Sequence, residues 1–160
     1  LMRPHSSILE PLCRGLVGYI SYLSSCQTST VYSEYLLYEP ILRIAQTHGY
    51  STRCEVPVGA FNSGRGDKKR IDFLLEKGEE KIGIEVKWIK KNTINITNDV
   101  DKLVKNHKET EALGYVLVFG RSSYFNNLTP TANRKPISKG KLVKWDPGRT
   151  KYSAMWFRYC

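Results

Sequence analysis

Long apolar runs are missing from this chain of 160 residues. No stretch reaches the roughly 18 uncharged apolar residues that a membrane-spanning helix needs. The nearest candidate, residues 8–23, contains Glu10, Pro11 and Arg14. It also lacks the basic-then-apolar order of a secretory signal. We therefore expect a cytoplasmic protein with no membrane partner.

Cysteine and histidine are scarce and do not occur at metal-ligand spacing. The 4 cysteines are far apart, and the 3 histidines form no ligand pair. A structural zinc site is therefore not expected. Nucleophilic-serine motifs, phosphate-binding glycine loops and dinucleotide fingerprints are missing as well.

Acidic residues are outnumbered by basic ones. The chain has 25 Lys and Arg against 15 Asp and Glu, a net charge of +10 at pH 7. Such an excess favours a polyanionic partner, nucleic acid before an anionic membrane surface. The length and the hydrophobic content of 41% predict one globular domain over 1–160. We expect its core at about 31–120 and a basic C-terminal extension at 121–160.

The hydrophobic pattern predicts an α/β fold with an αβββαβ core. Helices are expected over 6–25, 31–48 and 99–112. Strands are expected over 51–58, 70–75, 81–89 and 115–119, with a terminal hairpin from 142–145 and 152–159. Pro40 should bend or restart the second helix, and Asn98 is a candidate cap for the third. Three strands joined by short loops, then a helix and another strand, predict a mixed central sheet.

Charged side chains share one face of two predicted strands. In 82–88, the apolar residues alternate with Gly83, Glu85 and Lys87, so these three point away from the core. The same rule places Asp72 opposite the apolar side chains at 71, 73 and 75. If the two strands pair across their connecting turn, Asp72 lies beside Glu85 and Lys87.

Two carboxylates beside a lysine suit a hard metal ion. Magnesium takes one or two carboxylates, waters and a phosphate oxygen, so Asp72 and Glu85 are candidate ligands, with the Val86 carbonyl as a third oxygen. Such a metal acidifies a bound water and neutralises charge on the scissile phosphate. Lys87 can orient the water or stabilise the pentavalent oxyanion, and Gly83 is expected to leave room for a phosphate. The competing interpretation is a solvated cross-strand ion pair.

These residues resemble the PD-(D/E)xK nuclease superfamily, whose fold is restriction-endonuclease-like. The matching segments read Arg-Ile-Asp-Phe-Leu-Leu and Ile-Gly-Ile-Glu-Val-Lys-Trp, and Ile71 stands where the family name has Pro. The resemblance covers about 31–120. It implies Mg²⁺-dependent hydrolysis of DNA phosphodiester bonds by direct attack of water, with Mn²⁺ as a substitute. We expect an endonuclease before an exonuclease.

Many members of that superfamily add a carboxylate from the first core helix. Glu34 and Glu39 compete for this role here. Glu34 is preferred because it shares a helical face with the apolar Leu37 and Ile41, whereas Glu39 lies about 140° further around the helix. A helix that restarts at Pro40 would favour Glu39 instead.

Basic residues flank the strands that carry the carboxylates. They are Arg65, Lys68, Lys69, Arg70, Lys90, Lys91 and Arg121. We expect them to contact the phosphate backbone without reading sequence. Tyr124, Phe125 and the basic residues of 134–141 would extend this track.

The leading hypothesis is therefore a magnesium-dependent deoxyribonuclease that prefers DNA to RNA. One alternative is a non-catalytic nucleic-acid-binding module of the same fold. Another is a nuclease toxin or effector domain with an acidic protein inhibitor. The resemblance also allows a homodimer that cuts both strands, although no interface signature is visible in the sequence.

Overall fold

The computed structural model describes residues 6–26, 34–59, 69–144 and 151–160. Its helices are α1 (Leu9–Ser25), α2 (Tyr38–Thr47) and α3 (Thr97–Thr110), with 3₁₀ turns at Glu34–Leu37 and Ser122–Phe125. Its strands are β1 (Ser51–Pro57), β2 (Arg70–Lys77), β3 (Glu80–Ile89), β4 (Thr93–Asn95), β5 (Leu113–Arg121), β6 (Thr129–Thr131), β7 (Ser138–Lys139), β8 (Val143–Lys144) and β9 (Tyr152–Arg158).

Seven of the described strands form one mixed sheet. Its order is β1–β2–β3–β5–β9–β7, and β8 also pairs with β9. The first three strands form an antiparallel meander, and β3 then pairs in parallel with β5 through a crossover that contains α3. A short parallel pair, β4 and β6, lies apart from this sheet. The predicted α/β class and the mixed central sheet are confirmed.

The helices cover both faces of the sheet and create two apolar cores. The first core lies between the sheet and the pair α1 and α2, and it contains Leu12, Leu16, Ile41, Phe73 and Ile84. The second lies under α3, and it contains Ile71, Val100, Leu103, Val116 and Val118. Because β5 is covered on both faces, its continuous apolar sequence is buried throughout, as the pattern of residues 115–119 predicts.

The sequence suggested that the C-terminal hairpin is an appendage, but the hairpin belongs to the central sheet. Strand β9 pairs with β5 from Arg121–Tyr152 to Tyr115–Arg158 and lies inside the sheet, with β8 on its other edge. The Tyr-Ser-Ala-Met-Trp-Phe-Arg segment is mostly buried on both faces, which a two-stranded hairpin alone cannot achieve. The predicted turn at 146–148 lies outside the described residues.

Two helix starts differ from the prediction for local reasons. The second predicted helix divides into a 3₁₀ turn and α2, and Pro40 occupies the first turn of α2, where its missing N–H costs nothing. The cap of α3 is not Asn98, which lies inside the first turn. Instead, the Asn95 side chain accepts a hydrogen bond from the Thr97 N–H at 3.0 Å.

Candidate active site

Strands β2 and β3 diverge at Asp72 and Glu85. Their pairing runs from Lys77–Glu80 to Phe73–Ile84. Beyond that point, the start of β2 pairs with β1, and the end of β3 pairs with β5. We call this opening, with Asp72 on one side and Glu85 and Val86 on the other, the β2–β3 fork. Asp72 spans it, because its Oδ2 accepts a hydrogen bond from the Val86 N–H at 2.8 Å.

The side-chain alternation predicted for β2 is wrong at Ile71. Ile71 packs in the α3 core, whereas Phe73 packs in the opposite core, so the two do not share a face. Directly across the strand pair, Glu55 of β1 has a φ of 52°. Strands β1 and β2 therefore change face together at Glu55 and Asp72. This local distortion turns the Asp72 carboxylate into the fork.

Glu85 lies on the α3 side of the fork and is buried, with 1% of its surface exposed. The Lys102 Nζ lies 2.8 Å from Glu85 Oε1 and 3.3 Å from Asp99 Oδ1. The other Asp99 oxygen lies 3.4 Å from the Lys87 Nζ. Two carboxylates and two ammonium groups thus alternate along the first turns of α3 and the end of β3.

Electrostatics favour a proton or a cation on Glu85. Burial, and after it the nearby Asp72 carboxylate, raise the pKa of Glu85 to about 9 against the lowering influence of Lys102. At neutral pH Glu85 therefore holds a proton in the absence of a metal. A divalent cation in the fork would replace that proton and compensate both carboxylates.

Tyr38, the first residue of α2, connects two carboxylates on the other side of the fork. Its hydroxyl lies 2.6 Å from Glu55 Oε1 and 3.2 Å from Asp72 Oδ1. Its ring packs on Phe73 with ring centroids 4.5 Å apart. Burial and the two carboxylates raise the pKa of Tyr38, so the hydroxyl keeps its proton. The positive φ of Glu55 is uncommon for a residue other than glycine, and such conformations cluster at functional sites.

The strand residues predicted for the site come together, whereas other predicted features do not. Asp72, Glu85 and Val86 line the fork, and because the N–H and C=O of a strand residue point to the same side, the Val86 carbonyl also faces it. Lys87 is held nearby through Asp99. The space expected at Gly83 is filled by α3, because a Cβ there would lie 3.0 Å from the Asn106 amide nitrogen.

The two candidate helix carboxylates have different positions. Glu39 is exposed and paired with Arg43 at the surface, so it does not enter the fork. Glu34 begins the 3₁₀ turn, which contacts β3, and its side chain lies outside the described residues. Of the two, only Glu34 is therefore kept as a candidate.

Basic residues gather at the end of the sheet where the fork opens. Because β2 starts where β3 and β5 end, this fork end carries Lys69, Arg70, Lys90, Lys91 and Arg121, all exposed. Arg65 and Lys68 lie outside the described residues. The structure does not support the predicted extension of the basic track at Phe125 and Lys139. Lys139 lies on β7, three strands away from β3 across the sheet, and Phe125 is buried.

Four neighbours of the fork were missed from the sequence, namely Tyr38, Glu55, Asp99 and Lys102. A signal existed for the helical pair. Asp99 and Lys102 each precede one of the apolar residues Val100 and Leu103, about 100° away around the helix, and therefore border the side of α3 that faces the sheet. No comparable signal marks Glu55, because its position depends on a backbone conformation that alternation does not predict.

The oxygen atoms at the fork fit a hard divalent cation. Within the described part of the chain, no group of three or more His, Cys, Asp and Glu side chains could hold a metal ion. The fork offers two carboxylates and a carbonyl, which suits magnesium because this ion keeps several waters.

None of the described helices is long and apolar enough to cross a membrane. No protein-family model matches the chain, and no curated protein or solved structure is significantly similar to it.

Proposed function

We propose that the chain is a magnesium-dependent nuclease that hydrolyses DNA phosphodiester bonds, with a restriction-endonuclease-like core. The observation that carries this proposal is the buried Glu85 beside Asp72 at the fork end of a strongly basic protein. An ion pair of purely structural use has little reason to keep a second carboxylate, Asp72, beside the buried Glu85. A divalent cation would compensate both.

Each residue at the fork has a role in this proposal. A cation bound by Asp72, Glu85 and the Val86 carbonyl would supply Lewis acidity and a water of lowered pKa. The Val86 N–H orients Asp72 through the 2.8 Å hydrogen bond. Lys87 donates to the attacking water or to the phosphate oxygens, where negative charge develops. Glu34 would complete the site from the 3₁₀ turn.

Residues Asp99 and Lys102 support this arrangement from α3. Asp99 accepts from Lys87 and keeps its ammonium group close to the fork, 3.4 Å from Asp99 Oδ2. Lys102 donates to Glu85 Oε1 at 2.8 Å when no metal is present. Its second contact, with Asp99 at 3.3 Å, would hold Lys102 when a cation engages Glu85.

The exposed basic residues at the fork end would hold the sugar–phosphate backbone across the site. Contacts of this kind position DNA without selecting a sequence. We propose an endonuclease that prefers DNA to RNA. Cutting both strands would then require two copies of the chain or two successive events. The same basic end would be covered by an acidic inhibitor if the domain were a toxin.

The direct test is cleavage of supercoiled plasmid, linear duplex, single strands, branched DNA and RNA, with Mg²⁺ or with EDTA. We expect nicking or linearisation of DNA with Mg²⁺ or Mn²⁺, none in EDTA, and a loss of activity in Asp72→Asn. Preparations of wild type and variant purified in parallel control for contaminating nucleases. Equal activity in wild type and Asp72→Asn would contradict the proposal.

A non-catalytic nucleic-acid-binding module is the second candidate. One observation favours it: Glu85, Lys102, Asp99 and Lys87 contact one another in a continuous series that needs no metal. A binder would retain full DNA affinity in EDTA and would cut none of the substrates above. The same panel therefore separates the two functions.

A further inference from the structure

The Tyr38 hydroxyl lies between two carboxylates but has only one hydrogen to donate. It is nearer to Glu55 Oε1, at 2.6 Å, than to Asp72 Oδ1, at 3.2 Å. If the Tyr38 hydroxyl donates to Asp72 Oδ1, that oxygen offers less negative charge to a cation. The partition of one hydrogen between Glu55 and Asp72 therefore affects the cation affinity of the fork.

The surroundings hold all three groups in place. The Tyr38 ring is packed on Phe73, with centroids 4.5 Å apart, and this contact places its hydroxyl beside the carboxylates. The other Asp72 oxygen is fixed by the Val86 N–H. Glu55 reaches the hydroxyl from a backbone with a φ of 52°, which costs energy at a residue other than glycine. The chain thus keeps a strained residue that brings a second acceptor to Tyr38.

We propose that Glu55 is a positioning residue that retains the Tyr38 hydrogen and so keeps Asp72 Oδ1 available to a divalent cation. This inference rests on the proposed function, because it concerns the same Asp72. It assigns no contact between Glu55 and the metal. Its specific consequence is that the effect of Glu55 on metal binding passes through the Tyr38 hydroxyl.

The test is a double-mutant cycle on Mn²⁺ affinity, measured by titration calorimetry without DNA. Glu55→Gln replaces a charged acceptor by a weaker neutral one, so the hydroxyl turns toward Asp72 and Mn²⁺ binding weakens by about tenfold. Tyr38→Phe keeps the ring and removes the hydroxyl, so Mn²⁺ binds at least as tightly as in the wild type. The double variant should bind Mn²⁺ at least about threefold more tightly than Glu55→Gln alone.

Glu55→Gln also removes a negative charge near the fork, which by itself would weaken Mn²⁺ binding. That effect is the same with or without the Tyr38 hydroxyl. An affinity of the double variant equal to or below that of Glu55→Gln therefore overturns the inference. Glu55→Gly is the second variant, because glycine adopts the positive φ without strain and also removes the acceptor. It should lose Mn²⁺ affinity without losing thermal stability. A loss of both would likewise overturn the inference.

The chain offers a matched control at the opposite end of the sheet. The Tyr50 hydroxyl donates to Glu80 Oε2 at 2.6 Å, the same length as the Tyr38–Glu55 bond. Tyr50→Phe should leave Mn²⁺ affinity unchanged, and an equal change in both Tyr variants would overturn the inference. Asp72→Asn locates the site. Absence of Mn²⁺ binding in the wild type, or binding that Asp72→Asn does not alter, refutes the proposed function, whereas missing recovery in the double variant refutes only the role of Glu55.

Discussion

At the scale of single residues, Glu85 is the most informative position in the chain. A carboxylate with 1% exposure is costly to ionise unless a cation or several hydrogen bonds compensate it. Lys102 is close, yet the pKa of Glu85 remains raised to about 9 because burial and Asp72 outweigh that single partner. Ionising Glu85 beside Asp72 therefore requires a further positive charge, which a divalent cation in the fork would supply.

Lys87→Ala should lower the DNA cleavage rate by at least about a hundredfold, because it removes a donor aimed at the charge that develops in the transition state. Folding and DNA affinity should change little, since Lys87 is partly exposed and contributes one charge among many. Single-turnover rates at saturating DNA measure the effect. Lys81→Ala, on the same strand at its other end, is the control. Wild-type turnover in Lys87→Ala would refute the catalytic role.

The raised pKa of Glu85 predicts a pH dependence of stability without metal. The folded state holds a proton that the unfolded chain releases above its ordinary value of 4.5, up to about pH 9. Because the folded state binds more protons in that window, the free energy of unfolding should fall as pH rises through it. Urea denaturation in EDTA between pH 5 and 9 measures this slope. Glu85→Gln cannot ionise and should flatten it, and an unchanged slope would show that another group titrates.

At the scale of helices and strands, the sequence predicted what depends on periodicity. The apolar spacing located the three helices and the meander of three strands, and strand alternation correctly placed Glu85 on the side away from Ile84 and Val86. It failed at Ile71, because β1 and β2 change face at Asp72 and at Glu55, which has a positive φ. A backbone conformation of this kind depends on tertiary contacts, so no local pattern announces it.

Asn95→Ala should destabilise the protein by about 1 kcal/mol, because its side chain satisfies an N–H at the start of α3. Loss of this bond would fray the turn that carries Asp99. Asn98→Ala is the matched control, since Asn98 is exposed within the first turn and should cost little. Chemical denaturation of both variants gives the comparison. A larger loss in Asn98→Ala would restore the cap suggested by sequence.

At the scale of the whole molecule, the topology assigns opposite ends of the sheet different chemistry. Strand β2 is antiparallel to β3 and β5 is parallel to it, so the basic start of β2 and the basic end of β5 both lie where β3 ends. The first turn of α3 follows β3 at the same end. The clustering of distant basic residues could be inferred from the predicted strand order. The position of Lys139 could not, because β9 pairs inside the sheet and carries β7 to the edge farthest from β1.

Replacing Lys90 and Lys91 together by Ala should weaken DNA binding about equally for all sequences. The slope of log affinity against log salt should decrease by up to about two, since each phosphate contact releases about one counterion. The control is the pair Lys77→Ala and Lys81→Ala, at the opposite end of the sheet, with the same change in net charge. The DNA affinities of both pairs of variants are measured over a salt series in a Lys87→Ala background. Equal slope changes in both pairs would show that DNA does not select the fork end.

The central claim is that Asp72 and Glu85 share one divalent cation at the β2–β3 fork. Anomalous diffraction from crystals grown with Mn²⁺ tests it most directly, because it locates the metal independently of activity. We expect one strong anomalous peak within about 2.3 Å of a carboxylate oxygen of each residue, and no such peak in crystals of Asp72→Asn. A fork without a peak in wild-type crystals, or a peak held by other residues, would contradict the account.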